Sequence, residues 1–164
     1  MTAQFSENLI YEGKQVSMCN EPLGLYFELV GIEPKFAGIN TALWRGYIGT
    51  WEIINDRLYL IDLEGKLEDD AEVTLETFFP GFPDRVFAHW YSRTIRVPQG
   101  KMLEYIHMGY GSIYERDLLI KIENGVVKGK WVRENGISND PDAPEGYSIG
   151  AMTIIPRRKK DEVE

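Results

Sequence analysis

The stretch ALWRGYIGTWEIINDRLYLIDLEG, from Ala42 to Gly65, limits what this chain can fold into more than any other. Asn55-Asp56 sits between two arms of alternating residues, and period-2 alternation marks a half-buried strand. An Asn-Asp pair accepts the positive φ that a two-residue hairpin loop demands. That turn sets a register. On one face Ile53 meets Leu58, Trp51 meets Leu60 and Gly49 meets Asp62. On the other, Ile54 meets Arg57, Glu52 meets Tyr59 and Thr50 meets Ile61. The first face is apolar near the turn and the second is mixed, as in an antiparallel sheet packed on one side. A one-residue slip would turn Trp51, Ile53, Leu58 and Leu60 toward water, so the register is well specified. Gly46 and Gly49 interrupt the first arm and predict a bulge or bend.

At 164 residues the chain reads as one β-rich domain over residues 1–155, with a charged tail over 156–164. Leu9 to Met18 reads as a hairpin turning at Glu12-Gly13, and Leu25 to Val30 as a strand or a short helix. Glu33 to Thr41 reads as loop. Asp69 to Phe79 is the best helix candidate, capped by Asp69 or Asp70 and closed by Pro80-Gly81. Val86 to Val97 reads as a strand, Pro98-Gln99-Gly100 as a turn, and Met102 to Met108 as a further strand or part of a helix. Tyr114 to Val132 holds a second hairpin at Asn124-Gly125, which places Ile122 opposite Val127, Ile120 opposite Gly129 and Leu118 opposite Trp131. Glu134 to Gly146 reads as polar loop and Tyr147 to Ile155 as a last strand. The expected fold is mainly antiparallel β, with one short helix near residues 70–79. It is either a curved sheet approaching a barrel or a two-sheet sandwich.

The early YEGKQVSM, the EPLGLYF after it, and TALWRGYIGTWEI with LYLIDL together resemble a family of uncharacterised bacterial proteins. The resemblance implies a bacterial, cytosolic setting. It brings no assigned activity, and so no catalytic residues.

Charge and cysteine count narrow the function. The net charge of −8 opposes phosphate binding and argues against a nucleic-acid partner. Arg157 to Lys160 reads as a solvated terminus. Cys19 has no second cysteine to pair with, which fits a reducing compartment and a cytoplasmic location. The opening MTAQFSENLIYEG lacks a basic n-region and an apolar h-region, so no secretory signal is expected. No apolar run is long enough to cross a bilayer.

No motif of catalytic or ligand specificity stands out. His89 and His107 are the only histidines, and neither HxH nor HxxxH spacing occurs. They read as hydrogen-bonded aromatic-like residues. The sharper alternative is an acid/base or metal pair with Glu104, Glu115 or Asp117. Cys19 reads as a small buried hydrophobe rather than a nucleophile. HMGYGS, from His107 to Ser112, reads as a bend that presents Tyr110, because a strand and not a helix follows it. Glu68, Asp69, Asp70 and Glu72 read as a solvated helix start. We assign no catalytic residue, no metal and no cofactor from the sequence.

The aromatics are the unusual feature: four Trp, nine Tyr and seven Phe. Trp44-Arg45-Gly46-Tyr47 and His89-Trp90-Tyr91 put planar groups on both faces of their strands. One face is core, and the other offers a contact surface of the residue types enriched at hot spots. The expected function is therefore non-catalytic. The chain would bind a macromolecular partner, a basic protein, through Trp44, Arg45, Tyr47, Trp90 and Tyr91, in an immunity-type or regulatory role. His89, His107 and Tyr110 complete the candidate binding set. The alternatives are a small-ligand binder with an aromatic-lined pocket, and an enzyme with a His/carboxylate site.

Overall fold

A computed structural model describes residues 2–147. The sequence-predicted strand from Tyr147 to Ile155 and the basic tail lie outside the described residues, apart from Tyr147 itself. In chain order the elements are β1 (Glu7–Tyr11), β2 (Lys14–Met18), α1 (Pro22–Val30), β3 (Tyr47–Ile54), β4 (Arg57–Gly65), α2 (Leu75–Phe78), β5 (Val86–Phe87), β6 (Thr94–Glu104), β7 (Ile113–Glu123) and β8 (Val126–Glu134). The strands form one sheet in the order β2-β1-β3-β4-β8-β7-β6, with β5 also paired to β4. Every pairing is antiparallel except β1 with β3.

The three hairpin turns sit where the sequence puts them. Glu12-Gly13, Asn55-Asp56 and Asn124-Gly125 all have positive φ at both positions, as such loops require. Near each turn the expected pairs form: Ile53 with Leu58, Trp51 with Leu60, and Ile122 with Val127. Farther out a bulge shifts the β3–β4 and β7–β8 ladders by one, while β1–β2 stays in register. Thr50 faces Asp62 and Gly49 faces Leu63, while Ile120 faces Lys130 and Leu118 faces Val132. Bulges bend and coil a sheet. Here the curl brings its two ends together without closing the ladder. Cys19 N donates to Arg96 O (2.9 Å), and the Asn20 side chain imitates a strand neighbour. Its Oδ1 accepts from Arg96 N (2.7 Å) and its Nδ2 donates to Thr94 O (3.3 Å).

The helices settle one open alternative and correct one expectation. Leu25 to Val30 belongs to the longer helix, α1. Pro22 sits in its first turn and Gly31 ends it in the left-handed conformation, with Gly31 N bonded to Phe27 O. Leu23 and Phe27 face inward. Asp69 and Asp70 do not cap a helix. They build a tight turn in which Asp69 Oδ1 accepts from Ala71 N and Asp70 takes a φ of 70°. The chain then runs back along β4, with Val73 N bonded to Gly65 O. Only Leu75–Phe78 is helical, and its start is braced by Thr74 N donating to the Thr77 hydroxyl. Aspartate favours asx turns as readily as N-caps, and sequence cannot separate the two.

The segment after Pro83 differs as well. The extended run expected from Val86 to Val97 breaks after Phe87, because Ala88 and Tyr91 both turn into the core. Tyr91 N bonds to Ala88 O there. Pro98 to Gly100 is not a turn but a bulged stretch inside β6. Proline is tolerated there because β6 lies at the end of the sheet order. The strand ends at Glu104, so Tyr105 to Met108 is loop.

One core fills the concave face, with Leu9, Trp51, Leu58, Leu60, Ile95, Ile120 and Ile122 at its centre. An aromatic layer of Tyr26, Phe27, Phe36, Tyr47, Phe78, Phe79 and Trp90 closes one side of it. No helix among the described residues is long and apolar enough to cross a membrane.

Candidate functional site

The most highly charged part of the interior surrounds Glu7, which is 0% exposed. Alternation along β1 sends Glu7 and Leu9 inward together. Three hydrogen-bond donors converge on the Glu7 carboxylate. Trp51 Nε1 donates to Oε1 (2.8 Å), while Gly49 N and Arg45 Nε donate to Oε2 (2.9 Å each). Arg45 Nη2 lies 2.9 Å from Oε2, close enough for ionic attraction but without an aligned hydrogen bond. Burial pushes the Glu7 carboxyl up from its ordinary value, opposed by the Arg45 charge and the Trp51 and Gly49 hydrogen bonds. With only donors facing it, the carboxylate has no acceptor for a proton. Burial disfavours the Arg45 charge, yet Glu7, Tyr110, Glu21 and Tyr47 together offset this and hold the guanidinium pKa above its usual range.

A second centre lies on the other half of the sheet. Buried Asp117 accepts from Arg96 Nε (2.8 Å), Arg133 Nη2 (2.7 Å) and Asn135 Nδ2 (3.0 Å). Arg96 also donates to Tyr110 O (2.7 Å) and Ser112 O (2.8 Å), which pins the loop after β6. The Tyr110 hydroxyl donates to Glu21 Oε2 (2.6 Å), and Arg45 Nη1 stands 3.6 Å from that same oxygen. A chain of charges therefore links the two halves where the sheet ends approach.

These groups are engaged in structural work. The Cys19 thiol is buried, and desolvation raises its pKa to about 12, so it is no nucleophile at neutral pH. His107 is exposed and bonded to the Tyr105 hydroxyl (2.7 Å), and His89 is exposed beside Phe87 and Trp90. Two of the three suggested carboxylate partners are engaged elsewhere, Asp117 as above and Glu115 by Lys101 N and Ser138 N, while Glu104 is exposed at the end of β6. Among the described residues no three of His, Cys, Asp and Glu gather as a metal site would need.

The expected aromatic and arginine surface does not assemble. Trp44 is 58% exposed, but Tyr47 and Tyr91 are buried, and the Arg45 side chain is 7% exposed. Arg45 is drawn in by Glu7, and Tyr47 and Tyr91 fill the core. Trp90 is half-buried, stacked on Phe79 and bonded to Pro22 O (2.8 Å). Tyr110 is turned inward by Glu21 rather than presented. Of that set only Trp44 keeps a large exposed surface, beside the two exposed histidines. The buried role of Glu7 was missed because nothing local marks it. Its one sequence signal is an acidic residue in phase with Leu9 on an amphipathic strand.

A groove of about 800 Å³ opens between the 37–46 loop and the outer end of β4. Its apolar lining includes Phe5, Leu43, Ile48 and Leu63, and its polar lining includes Asp62, Glu64, Lys66 and Glu72. β4 supplies Asp62 and Glu64, and the return strand after the Asp69-Asp70 turn supplies Glu72. Trp44 directly follows the lining residue Leu43, and Ile39 on the same loop is also exposed. This loop is held down by Trp44 N donating to Gln4 Oε1 (2.9 Å) and by Phe5 N donating to Ala42 O (2.9 Å). No family model, no curated protein and no solved structure matches this chain.

Proposed function

We propose that this chain is a non-catalytic binding protein whose acid-lined groove takes a basic segment of a macromolecular partner. One observation carries the reading: three carboxylates and one lysine line an apolar-floored groove, and the exposed Trp44 follows its lining residue Leu43 in the chain. The floor gives a segment somewhere to bury an apolar side chain, and the rim selects positive charge. The net charge of −8 speeds encounter with such a partner. Trp44 is the anchor of the type that dominates interface energetics. The proposed setting is bacterial and cytosolic, which suits the unpaired Cys19, and an immunity-type or regulatory role fits neutralisation of a basic protein.

The test is a binding titration with fluorescein-labelled extended peptides, matched in length and differing in Lys/Arg or Asp/Glu content. Basic peptides carrying one large apolar residue are expected to bind, more weakly as salt rises. The Trp44→Ala and Glu64→Gln/Glu72→Gln variants are expected to weaken binding by about tenfold. Affinity indifferent to peptide charge, or unchanged in both variants, overturns the reading.

A further inference from the structure

We infer that this chain's own segment 151–160 occupies the groove in cis and is displaced by a basic partner, which rests on the binding role proposed for the groove and adds its regulation.

The segment reads AMTIIPRRKK and lies outside the described residues. Its chemistry is that of the ligand the groove selects. Met152, Ile154 and Ile155 are apolar, and Arg157, Arg158, Lys159 and Lys160 follow Pro156 with no acid among them. The groove offers an apolar floor to the first part and the carboxylates of Asp62, Glu64 and Glu72 to the second. Read alone, the four cations are a solvated run. The acid-lined groove gives them counter-charges.

Tyr147 fixes where the segment sets out. Its hydroxyl donates to Gln4 O (2.6 Å), and its ring packs against Tyr110 and Tyr114. Gln4 O belongs to the peptide group that joins Gln4 to Phe5, and Phe5 lines the groove. Phe5 N in turn donates to Ala42 O (2.9 Å), on the loop that forms one wall. One tyrosine side chain and one peptide group therefore separate the main chain at Tyr147 from the groove. An extended chain spans about 3.3–3.6 Å per residue, so Ile154 can stand up to ~25 Å from Tyr147 and Arg157 up to ~35 Å. Both parts of the segment reach the groove with length to spare.

Tethering sets the size of the effect. A short tether holds its ligand at an effective concentration of about 1 mM. A weak contact, with a Kd of about 0.1 mM, then leaves roughly one groove in eleven open and lowers the apparent affinity for a rival ligand about tenfold. A partner that binds more tightly than the segment still displaces it.

The probe is a fluorescein-labelled peptide of sequence AMTIIPRRKK, titrated with the full chain and followed by fluorescence anisotropy. Ile154→Ser with Ile155→Ser leaves the net charge unchanged, so a gain in affinity reports an uncovered groove and not a stronger field. This variant is expected to bind the peptide about tenfold more tightly than the parent. With Glu64→Gln and Glu72→Gln added to both chains, the two affinities are expected to converge. A second measurement needs no substitution: carbodiimide coupling of the parent, read by peptide mass spectrometry, is expected to join Lys159 or Lys160 to Glu64 or Glu72 in a product of monomer mass. Equal peptide affinity in the parent and the Ile154/Ile155 variant, or the absence of those cross-links, overturns the inference, while peptide binding to both leaves the groove's role standing. Cross-links found only in a product of dimer mass place the segment of a second copy in the groove and overturn it as well. A peptide that binds neither chain overturns the groove's role itself, and the inference with it.

Discussion

Replacing Glu7 by Gln removes one charge and almost no volume, yet it is expected to be among the most damaging single changes in this chain. The carboxylate accepts from Trp51 Nε1, Gly49 N and Arg45 Nε while fully buried. Glutamine has one acceptor oxygen where glutamate has two. Its amide group must then point a donor at either the indole or the Gly49 and Arg45 donors. Arg45, with a side chain 7% exposed, keeps only Glu21 at 3.6 Å as a counter-charge. Breaking a buried ion pair from one side costs about 3–5 kcal/mol. A domain holds about 5–15 kcal/mol in total, so this loss approaches unfolding at physiological temperature. Urea denaturation at neutral pH, followed by tryptophan fluorescence, reads the midpoint directly. The companion is the double variant Glu7→Leu with Arg45→Met, which removes both charges and is expected to be less damaged than the sum of its single changes. A Glu7→Gln protein within about 1 kcal/mol of the parent would refute the argument, since an ordinary surface change does no more than that.

Three further outcomes follow from the same geometry. Gly49→Ala would place a methyl carbon 2.5 Å from Glu7 Oε1 and 3.0 Å from Trp51 Nε1, so a loss of about 1–3 kcal/mol in thermal unfolding is expected; an unchanged Tm would contradict it. Burial pushes the Asp117 carboxyl up, but hydrogen bonds from Asn135, Arg96 and Arg133 outweigh burial and hold it below the ordinary aspartate value. A pKa depressed in the fold adds stability above the unfolded value of about 3.9 and withdraws it as pH falls through the folded one. Stability of the parent should therefore drop more steeply below pH ~4 than that of Asp117→Asn, and parallel acid limbs in a pH series of urea melts would show the linkage to be absent. Cys19, buried with its thiol pKa raised to about 12, should resist a thiol-reactive dye in the native state and label only on unfolding; prompt native labelling would place it at the surface instead.

How far the sequence could be read depended on distance along the chain. Asn55-Asp56 and Asn124-Gly125 were legible because a turn type and the two residues beside it form a local problem. The pairing of Ile53 with Leu58 follows from loop length alone. Thr50 with Asp62 does not, because a bulge intervenes and its position depends on packing. The Asp69-Asp70 pair was ambiguous for a chemical reason: the same carboxylate oxygen caps a helix or closes a turn, and here the return strand alongside β4 selects the turn. Among the candidate binding residues the spacing located the aromatics but not their side. Trp44 and Arg45 are neighbours in sequence, and one is exposed while the other is buried against Glu7.

The amino-acid order by itself settled a β-rich chain with three reversals, because alternation and positive-φ turn residues act over only a few positions. Tertiary structure decided everything that needs two distant segments to meet. Glu7 finds Arg45 across 38 residues, Asn20 completes the edge of β6 across 76, and β8 parts from β4 to leave an edge uncovered among the described residues. A buried charge must be answered by whatever the fold brings near it, and an edge is open only when no other strand arrives. Neither condition leaves a periodic mark in the sequence.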